Sequence, residues 1–323
     1  FPIYFLKWHL MNNNPLVSIC IPTCNGKRYI NQCLSSAMNQ SYNNIEIIIS
    51  DDQSTDDTLN IANVLLEKTT LNYKIIINNS TGFVADNWNN AIKQASGKYI
   101  KMLFQDDYLY SNCIEKMVEL VNNHKDLGLI FSLRDPIYEK HIMKNPETKL
   151  TIDFISNQKT YLGDVSIIQE GINLIKNKYL LSGSNIIGEP SNVLINKNVF
   201  NEIGYFNPKI LQLIDLEMWY RILLNYKIGF INKSLSGFRI HYNQLSYKNK
   251  DHVNQVSKEQ LTIYNKLYEN LIILNFNKYY LSILKEKIKK MKASKKKYWP
   301  ILKPLWKLFF SLKRRAFYFI YNN

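Results

Sequence analysis

Residues 17–52, "VSICIPTCNGKRYINQCLSSAMNQSYNNIEIIISDD", contain the clearest fold signal in the chain. Two short apolar runs, "VSICIP" and "IEIIIS", flank a segment in which Ile30, Leu34, Ala37 and Met38 recur at helical spacing. Continuous apolar runs are typical of strands that are covered on both faces, whereas a 3.6-residue period indicates a helix. The stretch therefore predicts two parallel strands joined by a helix.

The same pattern repeats further along the chain. The run "YKIIIN" begins at Tyr73 and "YIKMLF" begins at Tyr99, so the four runs, counted from Leu16, start 29, 28 and 26 residues apart. A second helical stripe lies between the second and third runs and consists of Leu59, Ala62, Leu65 and Leu66. Units of this length predict an α/β, Rossmann-like fold with a mostly parallel central sheet flanked by helices. Residues 135–180 show no comparable pattern.

Two of the four runs end in a pair of adjacent aspartates. Ligands of such sheets bind outside the carboxyl ends of the strands, so the residues after each run are the first candidates for a site. Asp106 and Asp107 follow the fourth run, and hard cations such as Mg²⁺ prefer one or two carboxylates together with phosphate oxygens. Asp51 and Asp52 follow the second run, where a carboxylate can accept hydrogen bonds from a ribose hydroxyl or a base.

Each pair also has a purely structural interpretation. Asp106 and Asp107 can belong to a turn or cap a helix predicted from Ser111. The other pair can form a polar turn and helix cap with Ser54, Thr55 and Asp56. The residues alone leave both interpretations open.

A further acidic residue begins a predicted helix. The segment "DLEMWYRILLNYK" starts at Asp215 and shows helical periodicity. Asp215 is therefore either a stabilising N-terminal aspartate or a catalytic carboxylate. Glu217 points to another side of the same helix, so the two do not form a simple pair. His241, in "RIHYNQLS", is a lone histidine, which by itself indicates a surface or core residue.

Several motifs and segments are absent from the sequence. No GxGxxG follows the first strand, and GxxxxGK[ST], GxSxG and HExxH do not occur. This weighs against dinucleotide, P-loop, serine-hydrolase and zinc-protease chemistry. There is also no signal-peptide pattern, no CxxC pair and no run of about 20 apolar residues. We therefore expect a cytoplasmic protein.

The net charge of +15 is concentrated in one segment. Residues 285–315 contain 13 lysines and arginines and one acidic residue, so they carry +12. Across residues 301–319, apolar residues recur at three- and four-residue steps: Ile301, Leu305, Leu308, Leu312, Ala316 and Phe319. The pattern predicts a C-terminal helical basic tail that docks on an anionic membrane surface, which would place the protein peripherally on the inner face of the cell membrane. The alternatives are a basic helix packed on the body and, less favoured because the charge is confined to one end, a nucleic-acid-binding tail.

Five blocks, in order along the chain, resemble the family 2 glycosyltransferases, which are inverting enzymes of the GT-A fold, in particular those of bacterial polysaccharide, O-antigen and capsule synthesis. The first block is residues 17–58 and the second is "GFVADNWNNAIKQASGKYIKMLFQDD" (82–107). The other three are "GEPSNVLINKNVFNEIGYFNP" (188–208), "IDLEMWYRIL" (214–223) and "FRIHYNQLS" (238–246). Each block is weak alone, and five in register are specific.

The resemblance implies a domain organisation. It places a GT-A domain over residues 15–250, with a nucleotide-binding half (15–110) and an acceptor-binding half (111–250). Residues 1–14 would be an N-terminal extension and 251–323 the helical, basic tail.

The resemblance also implies roles for individual residues. Asp107 and His241 would bind Mg²⁺ or Mn²⁺, and Asp215 would be the general base. The residues expected at the nucleotide are Pro22, Thr23, Asn25, Asp51, Asp52, Asn87, Asp106 and Arg239. The donor would be a UDP- or dTDP-sugar and the acceptor a glycan or a lipid-linked molecule, with no nucleic acid as partner.

The sequence departs from the family pattern at two positions. Ile214 precedes Asp215 where the family usually has a glutamate, so the base assignment rests on Asp215 alone. Cys24 replaces the usual aromatic residue in "P-T-x-N", which leaves no ring there to stack on a base. A catalytically inactive scaffold with the same fold, acting in a polysaccharide assembly complex, is the alternative function.

Overall fold

The computed structural model describes residues 14–79, 82–244 and 253–297 of the chain. The predicted amphipathic helix over 301–319 lies outside the described residues, as do the last two residues of the block at 238–246. Nine strands and twelve α-helices occur in the described part. The strands are β1 (Val17–Thr23), β2 (Ile45–Asp51), β3 (Asn72–Ile77), β4 (Tyr99–Met102), β5 (Tyr108–Leu109), β6 (Leu127–Tyr138), β7 (Ile168–Glu170), β8 (Val193–Asn196) and β9 (Lys227–Ile240).

The helices alternate with the strands in the first part of the chain and cluster at the end. They are α1 (Ile30–Met38), α2 (Thr58–Leu66), α3 (Val84–Gln94), α4 (Cys113–Asn123), α5 (Pro146–Ser156), α6 (Gln158–Leu162), α7 (Gly171–Ile175), α8 (Lys178–Leu181), α9 (Asn198–Ile203), α10 (Ile214–Asn225), α11 (Val253–Ile273) and α12 (Lys278–Lys297). Two short 3₁₀ helices, Lys140–Lys144 and Pro190–Asn192, complete the set.

The strands form one mixed sheet in the order β3-β2-β1-β4-β8-β6-β9-β5, and β7 pairs with the start of β9. β1 to β4 are parallel to one another, so the prediction of a parallel sheet is confirmed for the first half. β8 runs antiparallel to both β4 and β6, whereas β6 and β9 are parallel. The expectation that every run is covered on both faces is wrong for β3, because it is an edge strand whose residues are largely exposed.

Two helical layers cover the sheet. Residues of α1, α2 and α4, such as Leu34, Leu66 and Met117, form a core on one face. Residues of α3, α10 and α11, such as Trp219 and Tyr264, form the core on the other. Each fully buried side chain of this size contributes about 1.5–3 kcal/mol, so both layers hold the strand ends in fixed positions.

The C-terminal helices α11 and α12 pack on the second half of the domain. The buried carboxylate of Glu259, on α11, accepts hydrogen bonds from the backbone N–H groups of Leu211 (2.8 Å), Gln212 (3.0 Å) and Leu213 (3.2 Å). These residues immediately precede α10, whose N-cap residue Leu213 offers no capping side chain. One buried carboxylate from α11 therefore holds the chain that leads into α10. None of the helices in the described residues is long and apolar enough to span a bilayer.

Candidate functional site

The loops after β1 and β2 lie side by side, because Thr23 pairs with Asp51 in the parallel register. Asp51 is fully buried, and its carboxylate accepts hydrogen bonds from Thr23 Oγ1 (2.7 Å), Ser54 N (2.7 Å) and Ser54 Oγ (2.6 Å). Asn25 has a φ of 50° and binds the other loop, donating from its backbone N–H to Ser54 Oγ (2.7 Å) and accepting from Thr55 N (2.8 Å). Asp51 therefore fixes the loop geometry, as the polar-turn interpretation predicts.

The neighbouring Asp52 is placed differently. Its side chain is only half-buried, and its carboxylate accepts a long hydrogen bond of 3.4 Å from Asn78 Nδ2. Asn87, on α3, donates from Nδ2 to the carbonyl oxygen of Thr23 (3.1 Å), while its buried Oδ1 has no hydrogen-bond partner. Pro22 is buried within β1. Of the predicted nucleoside contacts, Asp52 and the amide oxygen of Asn87 are thus the polar groups that remain available to a ligand.

The second acidic pair follows β4 and precedes β5. Asp107 is buried: Oδ1 accepts a hydrogen bond from the backbone N–H of Arg239 (2.9 Å), and Oδ2 has no hydrogen-bond partner. Burial, and next the charge of Asp106, raise the pKa of the Asp107 carboxyl well above its usual range. The helix-cap interpretation of this pair is wrong, because α4 begins only at Cys113, after β5, and its N-cap residue is Asn112.

The end of β9 covers the acidic pair. Arg239 Nε donates to the carbonyl oxygen of Asp106 (2.8 Å), and its guanidinium lies over the ring of Tyr29, 4.5 Å from the centroid. His241 Nε2 is 3.0 Å from Asp106 Oδ2, and the histidine ring packs 4.9 Å from Tyr29. A further hydrogen bond joins Arg239 to Gln32 Oε1. The structure therefore gathers Asp106, Asp107, Arg239 and His241 into one cluster, in which His241 contacts Asp106 and the Arg239 backbone contacts Asp107.

The acidic pair meets the requirements of a hard cation only in part. Within residues 14–79, 82–244 and 253–297, no group of three or more histidine, cysteine or acidic side chains is placed to hold a metal ion. The orphaned, buried Oδ2 of Asp107 is nevertheless the kind of donor that Mg²⁺ and Mn²⁺ prefer, and Asp106 lies next to it. Mg²⁺ usually takes one or two carboxylates and completes its shell with phosphate oxygens and water. The two carboxylates thus fit part of the shell of a hard cation.

Asp215 lies in the first turn of α10. Its Oδ2 accepts a hydrogen bond from Asn185 Nδ2 (2.7 Å), and Oδ1 accepts one from Leu216 N (2.7 Å). Burial, and next the negative charge of Glu189, raise the pKa of Asp215 from 3.8 to about 7. Part of the surface of Asp215 is exposed, so a ligand can reach this residue. A carboxylate with a pKa near neutrality is suited to accept a proton.

Glu217 is not a substitute for Asp215. It is buried, and its carboxylate accepts hydrogen bonds from Arg221 Nε (3.0 Å to each oxygen) and from an Arg221 terminal nitrogen (2.8 Å). Arg221 in turn donates to the carbonyl oxygens of residues 203–205. Both residues therefore serve the packing of α10 against α9.

Two charged residues near the site have no counterpart among the sequence-based candidates. Arg134, on β6, is almost fully buried, and its Nε lies 2.5 Å from Glu189 Oε2. Glu189 belongs to the quoted block "GEPSN", so its position was visible in the sequence, but its partner lies in a stretch with no recognisable motif. Gly188 precedes it with a φ of 109°, and a Cβ there would lie 2.8 Å from Asn192 Nδ2 and 3.1 Å from a terminal nitrogen of Arg134. The turn that presents Glu189 therefore requires glycine.

Comparison with protein families gives a match over more than half of the chain. The model described as glycosyl transferase family 2 matches residues 18–203. An uncharacterized glycosyltransferase of Rickettsia felis is 31% identical over 242 residues, which make up 74% of this chain and 36% of the relative. The chain therefore spans about a third of the length of this relative. It spans 65% of the length of an uncharacterized glycosyltransferase of Rickettsia prowazekii.

Solved structures share the fold at low sequence identity. TarS 1-349 of S. aureus in complex with UDP-GlcNAc is 16% identical with a TM-score of 0.59, and the match covers 86% of this chain and 72% of that one. The mannosyltransferase PcManGT from Pyrobaculum calidifontis, in complex with GDP-Man and Mn²⁺, is 13% identical with a TM-score of 0.55. That match covers 96% of this chain and 87% of the other.

Proposed function

The chain belongs to the family 2 glycosyltransferases, and from this premise we propose that it transfers a sugar from a nucleoside diphosphate to an acceptor hydroxyl with inversion at the anomeric carbon. The observation that carries the proposal is Asp215, an accessible carboxyl with a pKa of about 7 in the same domain as a nucleotide-side acidic pair. Neighbours of the same fold bind UDP, UDP-GlcNAc and GDP-Man, which supports a nucleotide sugar as the donor.

The reaction we propose is a single displacement. Asp215 accepts the proton of the acceptor hydroxyl, and that oxygen forms a bond to the anomeric carbon as the bond from this carbon to the phosphate oxygen breaks. The nucleoside diphosphate leaves with the bonding electrons. Asn185 holds Oδ2 of Asp215, and the Leu216 N–H holds Oδ1, so the carboxyl keeps a fixed orientation towards the acceptor.

The acidic pair and the end of β9 would hold the diphosphate. Asp107, with Asp106 and His241 beside it, would bind Mg²⁺ or Mn²⁺, which neutralises negative charge on the departing diphosphate when bound. Arg239 is held over Tyr29 and against Asp106, so its guanidinium brings a positive charge to the same place. Asp52 and Asn87 would contact the nucleoside, and the loops of Thr23, Asn25 and Asp51 shape its pocket.

The remaining expectations concern partners and location. We propose UDP- or dTDP-sugars as donors and a glycan or lipid-linked molecule as acceptor, with the basic tail docking the protein on the inner face of the cell membrane. An inactive scaffold remains the second candidate, because Ile214 replaces the glutamate that usually precedes the base. The presence of Asp52, Asp107 and Asp215 favours the active enzyme.

A binding and turnover assay tests the proposal. Thermal unfolding is followed with UDP-, dTDP- and GDP-sugars, each with Mn²⁺ and with EDTA, and donor cleavage is then measured with the sugar that gives the largest shift. A binder raises the unfolding midpoint by mass action, and we expect EDTA to reduce both shift and turnover. Absence of any shift would overturn the nucleotide-sugar proposal, and binding without turnover would favour the inactive scaffold. Equal turnover with EDTA and with Mn²⁺ would contradict the proposed role of a metal ion.

A further inference from the structure

Residues 188–191 connect the two ends of the proposed reaction site. Asn185 Nδ2 donates both to the carbonyl oxygen of Gly188 (2.9 Å) and to Asp215 Oδ2 (2.7 Å), which ties the start of this segment to the base. At its other end, Ser191 Oγ accepts a hydrogen bond from Phe104 N (2.9 Å), two residues before the acidic pair. Glu189 therefore stands on the part of the chain that runs from the base to the residues proposed to face the diphosphate.

The side chain of Glu189 is held from one side. Arg134 Nε lies 2.5 Å from Oε2, and a terminal nitrogen of Arg134 donates to Oε1 at 3.3 Å. The Arg134 side chain is 2% exposed, whereas that of Glu189 is 23% exposed. Oε2 is buried against the guanidinium, so Oε1, whose contact with Arg134 is the longer one, is the oxygen left for a ligand. A carboxylate beside an arginine acts only as an acceptor, so it selects hydrogen-bond donors.

Hydrogen bonds place Glu189 between the two ends of the site. Its segment is tied through Asn185 to Asp215 at one end and through Ser191 to Phe104, close to the acidic pair, at the other. The negative charge of Glu189 is also the second cause, after burial, of the raised pKa of Asp215. In a single displacement, the transferred sugar must lie between the diphosphate and the base.

We infer that Glu189 binds a hydroxyl of the transferred sugar and thereby helps to select the donor. This inference rests on the proposed function, because only then does a sugar occupy the space between Asp107 and Asp215. The arginine beside Glu189 is already paired with it, so a carboxylate on the ligand at this position would meet the Glu189 carboxylate without a free cation from Arg134 and would be repelled. The donor sugar is therefore a neutral one with free hydroxyl groups rather than a uronic acid.

The test compares binding of matched nucleotides with and without a sugar. Calorimetric affinities are measured for UDP, UDP-glucose, UDP-GlcNAc and UDP-glucuronate, and for GDP and GDP-mannose, with Mn²⁺ present. The quantity of interest is the affinity for each nucleotide sugar divided by the affinity for its nucleotide. Glu189→Gln keeps the size of the side chain and removes its charge. Glu217→Gln is the matched control, since Glu217 is also paired with an arginine but serves α10 packing.

For the neutral sugar that wild type binds best, we expect Glu189→Gln to lower the ratio about tenfold or more, since hydrogen bonds to charged groups are the stronger ones. The affinity for the nucleotide alone should stay unchanged, and the preference for UDP-glucose over UDP-glucuronate should shrink.

An unchanged ratio in a folded Glu189→Gln variant overturns the inference and leaves the proposed function standing. If wild type binds none of these nucleotides, the proposed function fails and the inference fails with it. Glu189→Asp, which keeps the charge on a shorter side chain, should recover part of the ratio, and an equal loss in Glu217→Gln would show that the effect is structural.

Discussion

At the scale of single residues, Asp215 and Asp107 are both carboxyls with raised pKa values, but they sit in different environments. Asp107 is buried beneath Arg239 and shares its surroundings with Asp106, whereas Asp215 is reachable and bound by the neutral amide of Asn185. Asp215→Asn keeps the size of the side chain but cannot take a proton, so we expect transfer to fall by about 10²–10⁴-fold with nucleotide affinity nearly unchanged. Asp107→Asn should weaken both nucleotide affinity in Mn²⁺ and rate.

Initial rates and calorimetric nucleotide affinities on both variants check this contrast. Turnover of wild-type size in Asp215→Asn would leave Asp215 with a structural role at the start of α10. Because Glu217 is occupied by Arg221, the carboxyl to examine next would then be Glu189.

The raised pKa of Asp215 also makes stability depend on pH. Folding raises this pKa from 3.8 to about 7, so the folded protein keeps a proton that the unfolded chain has already lost between these two values. Over that range stability falls as pH rises, and above pH 7 the loss is complete. Asp215→Asn does not titrate, so its melting temperature relative to wild type should increase from pH 4 to pH 7 and then level off.

The size of this effect has an upper bound. Three pKa units correspond to about 4 kcal/mol, and the partial exposure of Asp215 reduces this figure. Thermal unfolding of both proteins at unit steps from pH 4 to pH 8 measures the difference, in which the titration of all other groups cancels. A difference that does not vary with pH would mean that Asp215 has an ordinary pKa in the folded protein. The wild-type transfer rate should in turn rise through pH 7 as the base loses its proton.

At the scale of elements, the geometry of α10 depends on a helix outside the family match. Glu259 of α11 accepts three backbone hydrogen bonds from the residues that precede α10, and α10 carries the proposed base, Asp215, in its first turn. Glu259→Ala leaves these buried N–H groups unsatisfied, so we expect a loss of about 2–4 kcal/mol in the free energy of unfolding. Because the start of α10 loosens, we also expect kcat to fall. The KM for the donor should change by a smaller factor.

Denaturant unfolding and steady-state kinetics test this, with Glu269→Ala as control. Glu269 lies on the same helix and is exposed, so its removal should be nearly neutral. If Glu259→Ala unfolds as wild type does, α11 contributes nothing to the position of α10.

Elements with a strong local pattern could be predicted from the sequence, and the others could not. β1, β2, β3 and β4 each carry an apolar run, and the helix at Asp215 carries a regular stripe, so the nucleotide half and α10 follow from periodicity alone. Apart from α5, the helices between Lys140 and Leu181 have only four or five residues. Tertiary contacts hold this region, such as Gln158 donating to the carbonyl oxygens of Ser132 and Ile186. The hydrogen bonds of Glu259 join residues that are 46 to 48 positions apart in the sequence. The ion pair of Arg134 with Glu189 joins residues 55 positions apart. A local sequence pattern cannot predict contacts at such separations.

At the scale of the whole molecule, the positive charge is concentrated in a C-terminal segment that follows the residues of the candidate site in the sequence. Residues 285–315 carry +12 of the net +15, so the remainder of the chain is nearly neutral. Within the described part, α12 presents several of these lysines, and the stretch at 301–319 has the alternation of apolar and basic residues that is typical of helices lying in a membrane interface. Each basic residue near an anionic surface contributes about 1 kcal/mol, and this attraction is screened by salt.

We therefore expect the full chain to co-sediment with vesicles that contain anionic lipid, and much less with neutral vesicles or at high salt. Truncation after Ser294 removes eight of the 13 basic residues of the segment and the whole apolar stripe, so vesicle binding should fall sharply. Nucleotide binding should persist in the truncated chain, because α11 and the clamp of Glu259 on the start of α10 are retained. A truncated chain that binds vesicles as the full chain does would contradict the membrane assignment of the tail. Replacing Leu305, Leu308 and Leu312 with glutamine leaves the charge intact, so weaker binding of that variant would show that the apolar stripe inserts and that charge alone is insufficient.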